Sequence, residues 1–466
     1  MPSVYTLASQ CNHWNNTQLL KECGLIPFML HKNFGYKAVM VGENTGNYPY
    51  LEHLPGLEMD FIQSSNSNTN SLVNNSINYI NQNYQKMDAL IMRGLYPVTC
   101  KIIKTYKQKR PNGRIYLYLD ANGHWIDDIK WTLPIFFNTL ALCDVISTSC
   151  CKIAKYLNKK WQPFIVEHIP NGFFNASGEQ IKKYKKENVI LTVGRIGTDQ
   201  KANHILLLAF AIIADNIPDW KVRLAGPVEA QFNEFTDQYF KKFPQLKTRV
   251  EFLGNITDKG KLYAEYAKAK IFALTSLAEG GAPNVIAEAL FHGCYTITSD
   301  IDAAVDITDN GNCGSIFKIN DYEVLSKILL KVCTNKKLLQ DAPQKSTQFA
   351  KSHYDWDLII NRINHLLNNI PIDNKVGELN VSWQQTAEKL TNIEISTKEE
   401  LNQIIMDLSY LEKLAAKLFN EIEDADLKYK LNQIKEKVLN ILYSSPTPQI
   451  KRDILEIAAQ ISLGSP

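Results

Sequence analysis

Short apolar segments alternate with longer helical patterns in two successive rounds along this chain. The first round places strand-like segments at 36–42, 87–94, 114–120 and 143–149. Amphipathic stretches such as 71–86 and 98–110 separate them, and the Asn-rich segment 63–76 is expected to be a loop that leads into a helix. Apolar runs of this kind are typical of strands buried on both faces, so the first half predicts a parallel sheet covered by helices.

The alternation stops near 167–186 and then begins again. The sequence EHIPNGFFNASGEQ contains Pro170, Gly172 and Gly178 and precedes a basic run, which indicates an interdomain linker. The second round places strand-like segments at 188–194, 220–226, 249–254, 270–276, 294–300 and 314–319. Two successive doubly wound α/β units predict a cleft between two lobes, with ligands at the carboxyl ends of the strands.

The length of 466 residues fits two domains and an extension. We predict an N-terminal lobe at 1–170, a second lobe at 171–352 and a closing helix at 353–376. The segment 377–466 carries a helical leucine pattern and no strand pattern. We expect it to be a helical extension that mediates self-association or docking, or that packs onto its own two-lobed body.

Composition excludes several classes of protein. A net charge of +3 is too small to indicate nucleic-acid binding. The nine cysteines are scattered without a Cys-x-x-Cys pair, no apolar run approaches the ~20 residues that span a bilayer, and the start lacks a secretion-signal pattern. The expectation is a cytoplasmic protein without a metal site. The basic stretches 101–110 and 152–161 would allow peripheral contact with the inner face of a membrane, or are solvated helix faces.

The segment VGRIGTDQK at 193–201 follows a predicted strand and carries Arg195 and Lys201. Two cations at the carboxyl end of a strand suit a diphosphate, because Arg binds phosphate with its forked guanidinium and Lys acts as a point charge. The same pattern also suits two solvated surface cations beside an ordinary strand–helix turn.

The segment TSLAEGGAPNVIAEAL at 275–290 places Glu279 in a loop, followed by Gly280, Gly281, Ala282 and Pro283. Small residues let backbone N–H groups approach a ligand closely, and a helix that begins near Asn284 and Val285 would direct its N-terminus at a phosphate. Glu288, one turn into that helix, could accept hydrogen bonds from ribose hydroxyls. The alternative is a Gly-rich turn with an acidic residue near a helix start.

These segments, together with IPNG at 169–172, LAG at 224–226, VEFLG at 250–254 and the YDW helix, resemble family 4 glycosyltransferases. The resemblance covers about 1–370 and implies the GT-B fold, in which two Rossmann-like lobes face each other across a cleft. It implies that Arg195 and Lys201 hold the donor diphosphate. It also implies that Glu279 and the backbone of Gly280 to Asn284, with Val285, hold the sugar and phosphate, and that Glu288 holds the ribose.

The chain departs from the family pattern at two places. Eight residues lie between Glu279 and Glu288 where the family has seven, which would reshape the sugar pocket. Many members have a histidine after the strand that ends at Leu119; here the sequence is DANGH, so Asp120 or His124 could fill the position, and Asp120 lies at the strand end. By analogy with the fold, the loop that contains Gly24 would face the cleft near the donor phosphate or the acceptor.

The function implied is that of a retaining hexosyltransferase that uses a nucleotide sugar, most simply a UDP-sugar, and a glycan, lipid-linked or protein acceptor. No cofactor is expected, since Arg195 and Lys201 would replace a divalent ion. Two alternatives stay open: a nucleotide-sugar epimerase of the same fold, and a catalytically inactive subunit that binds a partner enzyme.

Overall fold

The computed structural model describes residues 2–7, 16–44, 46–62, 69–161, 163–177 and 184–368. The predicted extension at 377–466 and Gly178 lie outside these residues. Among these residues, those within 2–110, 114–154 and 167–364 form one compact unit that contains two sheets, and those within 111–113, 155–166 and 365–368 belong to a second unit.

The first sheet has seven parallel strands in the order β3-β2-β1-β4-β5-β6-β7. Its strands are β1 Ser3–Leu7, β2 Lys37–Glu43, β3 Leu57–Ile62, β4 Ala89–Arg93, β5 Arg114–Leu119, β6 Val145–Thr148 and β7 Glu167–His168. The helices between them are α1 Glu22–Phe34, α2 Thr69–Asn83, α3 Pro97–Lys109, α4 Gly123–Asp128, α5 Pro134–Leu142 and α6 Cys151–Lys160. The strand order reverses between β1 and β4, and such a reversal opens a crevice at the carboxyl ends of the strands.

The second sheet has six parallel strands in the order β10-β9-β8-β11-β12-β13. Its strands are β8 Glu187–Val193, β9 Lys221–Ala225, β10 Val250–Gly254, β11 Ala269–Leu274, β12 Tyr295–Ser299 and β13 Gly314–Phe317. Its helices are α7 Asn203–Ile213, α8 Phe232–Lys242, α9 Lys259–Lys268, α10 Asn284–Phe291, α11 Ala304–Ile307, α12 Tyr322–Thr334, α13 Lys336–His353 and α14 Trp356–Asn368. Here the order reverses between β8 and β11.

The apolar sequence of helix α7 follows from its position in the core of the second lobe. Helix α7 packs against α12 as well as lying over the sheet, so its residues Leu206, Leu207 and Phe210 are fully buried. A helix covered on more than one side needs an apolar surface wider than a single stripe. This packing fixes the loop before α7, which carries Arg195 and Lys201.

The two lobes meet through hydrogen bonds near the strand ends. Ser149 after β6 accepts from the backbone N–H of Ala282 through its Oγ at 3.0 Å, and the Asn171 amide donates to the carbonyl of Ala282 at 2.9 Å. Asp302 of the second lobe accepts from the N–H of Gly123 at 2.9 Å. Helix α14 then returns to the first lobe, where Tyr36 donates to Asn364 at 2.9 Å.

The structure confirms the predicted fold of two parallel sheets with helices and corrects several details. The predicted linker begins one segment too early, because Glu167 and His168 form β7 and pair with Ser147 and Thr148 of β6. The predicted loop at 63–76 is also too long, since α2 begins at Thr69. The strands β1 and β3 lie outside the predicted set. No helix within the described ranges is both long enough and apolar enough to cross a membrane.

Candidate active site

A cleft of about 1200 Å³ lies between the carboxyl ends of the two sheets. It is lined from the second lobe by the β8–α7 loop, the loop after β10 and the turn before α10. From the first lobe it is lined by the segment before α1, the short helix Pro49–His53 and the ends of β4 and β5. Both points of strand-order reversal therefore open onto one cleft, which is where doubly wound sheets bind ligands.

Lys201 and Glu279 form an ion pair on the wall of this cleft. The Lys201 ammonium contacts Oε1 of Glu279, and the Ser276 hydroxyl donates to the same oxygen at 2.5 Å. Both side chains are largely buried, with exposed fractions of 17% for Lys201 and 10% for Glu279. Both residues line the cleft, as the sequence analysis expects, and each one is the other's partner.

Arg195 is held loosely and faces solvent within the cleft. Its Nη2 donates to Oε1 of Gln200 at 3.0 Å, and the Gln200 amide in turn donates to the carbonyl of Ala278 at 2.9 Å. Arg195 is exposed. Its guanidinium is therefore available to an anion that enters the cleft, whereas the Lys201 ammonium is engaged.

The turn from Gly280 to Pro283 lies directly against the first lobe, and this contact accounts for its two glycines. A Cβ at Gly280 would collide with the Asp120 carboxylate, and a Cβ at Gly281 would collide with the Ser149 hydroxyl. Gly281 also has a φ of 123°, a conformation that L side chains rarely adopt. Helix α10 begins at Asn284 as predicted, with Pro283 before it and Val285 on the cleft wall.

Glu288 lies one turn into α10, and its side chain is tied to neighbouring groups. The buried Tyr266 hydroxyl donates to Oε2 at 2.7 Å, and the Lys259 ammonium lies 3.7 Å from Oε1. Burial raises the pKa of Tyr266 well above its ordinary value, so the phenol stays a hydrogen-bond donor. Lys259 lines the cleft, while Glu288 itself does not.

Of the two first-lobe candidates, Asp120 lines the cleft and His124 does not. Asp120 follows β5 directly and pairs with the Arg93 guanidinium at the end of β4. Both side chains of this pair are about one third exposed, with fractions of 37% and 34%. His124 is an exposed residue of α4.

Gly24 does not lie in a loop, contrary to the prediction. It belongs to the first turn of α1, is buried, and donates its N–H to the carbonyl of Lys21 at 3.0 Å. A Cβ at this position would collide with the backbone of Leu19. The glycine therefore permits close packing, and Thr17, Lys21 and Glu22 line the cleft in its place.

The sequence analysis assigns no role to several of the cleft residues, among them Glu22, Arg93 and Asn171. Glu22 begins α1, and its pKa is raised by burial and by the neighbouring Asp120 carboxylate. Glu22 and Arg93 belong to no spaced motif, so only the approach of the two lobes identifies them, whereas Asn171 belongs to the IPNG segment at 169–172. Across the ranges that the structure describes, no group of three or more His, Cys, Asp or Glu residues has an arrangement that suits a metal ion.

Comparison with known proteins bears directly on this cleft. Residues 174–349 match the family model of glycosyl transferases group 1. The matched segment contains Arg195, Lys201, Glu279 and Glu288, and the expectation of a glycosyltransferase agrees with it.

A curated relative supports the same class. The chain is 23% identical over 195 residues to a phosphatidyl-myo-inositol mannosyltransferase of Mycolicibacterium smegmatis, an alignment that covers 41% of this chain and 48% of the relative. The chain spans about half the length of the curated relatives it matches first.

Solved structures show the fold over a larger part of the chain. HepE of Anabaena, in complex with UDP, superimposes with a TM-score of 0.62 at 16% identity and covers 79% of this chain and 100% of its own. The sucrose-phosphate synthase of Thermosynechococcus elongatus superimposes with a TM-score of 0.61 at 15% identity and covers 78% of this chain and 98% of its own. The architecture is therefore GT-B.

Proposed function

We propose that this chain is a retaining glycosyltransferase that takes a sugar from a UDP-sugar and transfers it to a glycan or lipid-linked acceptor. One observation carries the proposal: Arg195, Lys201 and the start of α10 line a single cleft between two GT-B lobes. The matched family supports glycosyl transfer. The UDP complex of HepE supports uracil as the nucleobase of the donor, and the name of the mannosyltransferase relative supports a lipid-linked acceptor.

The donor diphosphate would bind between Arg195 and the N-terminus of α10. The exposed guanidinium of Arg195 supplies forked hydrogen bonds, and the first N–H groups of α10 supply donors and a partial positive charge. Lys201 would join them once the diphosphate competes with Glu279 for its ammonium. These groups would stabilise the negative charge that develops on the departing diphosphate, and no cofactor is needed for that role.

The environment of the candidate base in the cleft supports a mechanism that retains the anomeric configuration. An inverting enzyme needs a general base on the face of the sugar opposite the leaving group. The first-lobe candidate for that base, Asp120, is engaged by the Arg93 guanidinium and lies against Gly280. We therefore propose that the leaving phosphate accepts the proton of the acceptor hydroxyl on the same face.

The experiment begins with a thermal-shift screen of UDP, GDP and UDP-sugars, because a bound ligand raises the unfolding temperature. With the donor identified, NMR of the product's anomeric proton should show an α-linkage from an α-linked donor. Arg195→Ala should lose far more rate than the matched variant His124→Ala, whose residue lies outside the cleft wall. A β-linked product would refute retention, and turnover of the donor without an acceptor would indicate an epimerase.

A further inference from the structure

Glu22 occupies a part of the cleft that the roles proposed above leave without a ligand. It is the first residue of α1 in the first lobe, and it faces the start of α10 in the second lobe. The side chain of Asn284, the first residue of α10, hydrogen-bonds to the Glu22 carboxyl. Glu22 and Asn284 therefore join the two lobes across the cleft.

A continuous stretch of the cleft wall leads from the residues proposed to bind the diphosphate to Glu22. It begins at Lys201 and Glu279, continues through Gly280, which lies against Asp120, and ends at Asn284. A sugar attached to a diphosphate at Arg195 would extend along this wall. Its hydroxyl groups would then come within reach of the carboxyl of Glu22.

The charges around Glu22 disfavour its ionised form. Burial and the Asp120 carboxylate raise the pKa of Glu22, against the opposing effects of its own N–H, the Asn284 amide and Lys21. The guanidinium of Arg93, which also lines the cleft, pairs with Asp120. The other titratable groups that face it are Tyr116, Tyr118 and Cys23.

Buried polar atoms near Glu22 lack partners within the protein. The Oδ1 atom of Asn284 is buried without a hydrogen bond, as are the hydroxyl of Tyr118 and Nε1 of Trp356. Tyr118 is 7% exposed and Trp356 is 4% exposed, and both line a small cavity that Glu22 also lines. Buried groups without partners are rare in folded proteins and indicate a site that a ligand or water completes.

We propose that Glu22 is a specificity-determining residue that donates its carboxyl O–H to a hydroxyl oxygen of the transferred sugar. The inference rests on the proposed function, because it requires a nucleotide sugar in the cleft. Asn284 shares the recognition through its free amide oxygen, which accepts from a sugar hydroxyl. A site built to pair with a hydroxyl rejects sugars that lack it, because its buried polar groups are then left unpaired.

The experiment compares the affinity for UDP with the affinity for the UDP-sugar in wild type, Glu22→Gln and Glu22→Ala. Glu22→Ala should bind UDP as wild type does and bind the UDP-sugar about tenfold more weakly, the size of one buried hydrogen bond. Glu22→Gln should stay within about threefold of wild type, since its amide can donate in place of the O–H. Glu58→Ala, at an exposed carboxylate on β3, is the control and should change neither affinity.

The pH dependence separates this role from a structural one. In wild type the preference for UDP-sugar over UDP should fall as pH rises through the pKa of Glu22, because the ionised carboxylate cannot donate. Glu22→Gln should show no such fall. The inference would be overturned if Glu22→Ala lost equal affinity for UDP and for the UDP-sugar, or changed only the KM for the acceptor. It would also be overturned if Glu22→Ala kept both the wild-type unfolding temperature and the wild-type preference for the UDP-sugar. Failure of wild type to bind any nucleotide sugar would overturn the proposed function, and this inference with it.

Discussion

The ion pair between Lys201 and Glu279 predicts that removing one catalytic candidate improves binding of the leaving group. The Lys201 ammonium is engaged by Glu279, so UDP has to compete with that carboxylate. Glu279→Gln keeps the size of the side chain and its capacity to accept from Ser276, but removes the charge. We expect this variant to bind UDP more tightly than wild type while transferring sugar more slowly.

The magnitude follows from the burial of the pair. A hydrogen bond to a charged group contributes ~1.5–3 kcal/mol and a neutral one ~0.5–1.5 kcal/mol, so the difference is ~1 kcal/mol. Because the two side chains are only 17% and 10% exposed, little of this is lost to solvent screening. The affinity for UDP should therefore rise about fivefold. Transfer should fall at least about tenfold, since the neutral amide of the variant is a weaker acceptor for a sugar hydroxyl than the carboxylate is.

Isothermal titration calorimetry with UDP measures the first effect, and initial rates at saturating donor measure the second. Glu52→Gln is the matched control, because Glu52 is an exposed carboxylate of the same cleft. Its removal should change UDP affinity by less than about twofold, as expected for a screened charge. An unchanged or lower UDP affinity in Glu279→Gln, or an equal gain in Glu52→Gln, would refute the competition between Glu279 and the diphosphate.

Three further expectations concern other parts of the chain. Glu288→Gln should weaken donor binding by about 1–3 kcal/mol if this carboxylate reaches the ribose. Tyr266→Phe, which removes the hydrogen bond to Oε2 of Glu288, should weaken donor binding less. Unchanged UDP affinity in Glu288→Gln would contradict the assignment of Glu288 to the ribose. Sugar transfer should persist in excess EDTA because cationic side chains stabilise the negative charge of the diphosphate. Complete loss of transfer that magnesium restores would contradict this expectation. Removal of the chain after Asn368 should leave a cooperative unfolding transition, since both sheets lie before that residue. If the extension mediates association, the truncated protein should also have a lower oligomeric state than the full chain. Light scattering measures that state, and an unchanged value would contradict a role in association.

The sequence predicts the central strands well because their signal is local. Segments such as 114–120 and 188–194 are apolar on both faces, which only a covered parallel sheet explains, and both form strands. The strand β3 mixes polar and apolar residues because it lies at the sheet edge, where one side has no neighbouring strand. β7 has only two residues, too few for any periodic pattern.

The residues of the candidate site also differ in whether a local sequence signal predicts them. Arg195, Lys201 and Glu279 lie in the loops that follow β8 and β11, so the position of the strand end predicts on which edge of the sheet each side chain lies. Glu22 and Arg93 come together with the second lobe only because the two lobes approach each other, and no local pattern encodes that approach. The error at Gly24 has a related cause, since a glycine demanded by close packing on Leu19 is indistinguishable in sequence from one demanded by a loop.

The turn before α10 has a consequence for protein engineering. Its backbone N–H and C=O at Ala282 bond to Ser149 and Asn171, which precede the second sheet in the chain, and its glycines leave room for Ser149 and Asp120. A chimera that exchanges the donor half at a point between β7 and β8 would separate these complementary surfaces. Such exchanges should succeed only when residues 120, 149 and 171 are transplanted together with the turn, so the unit of exchange is a three-dimensional interface and not a segment of sequence.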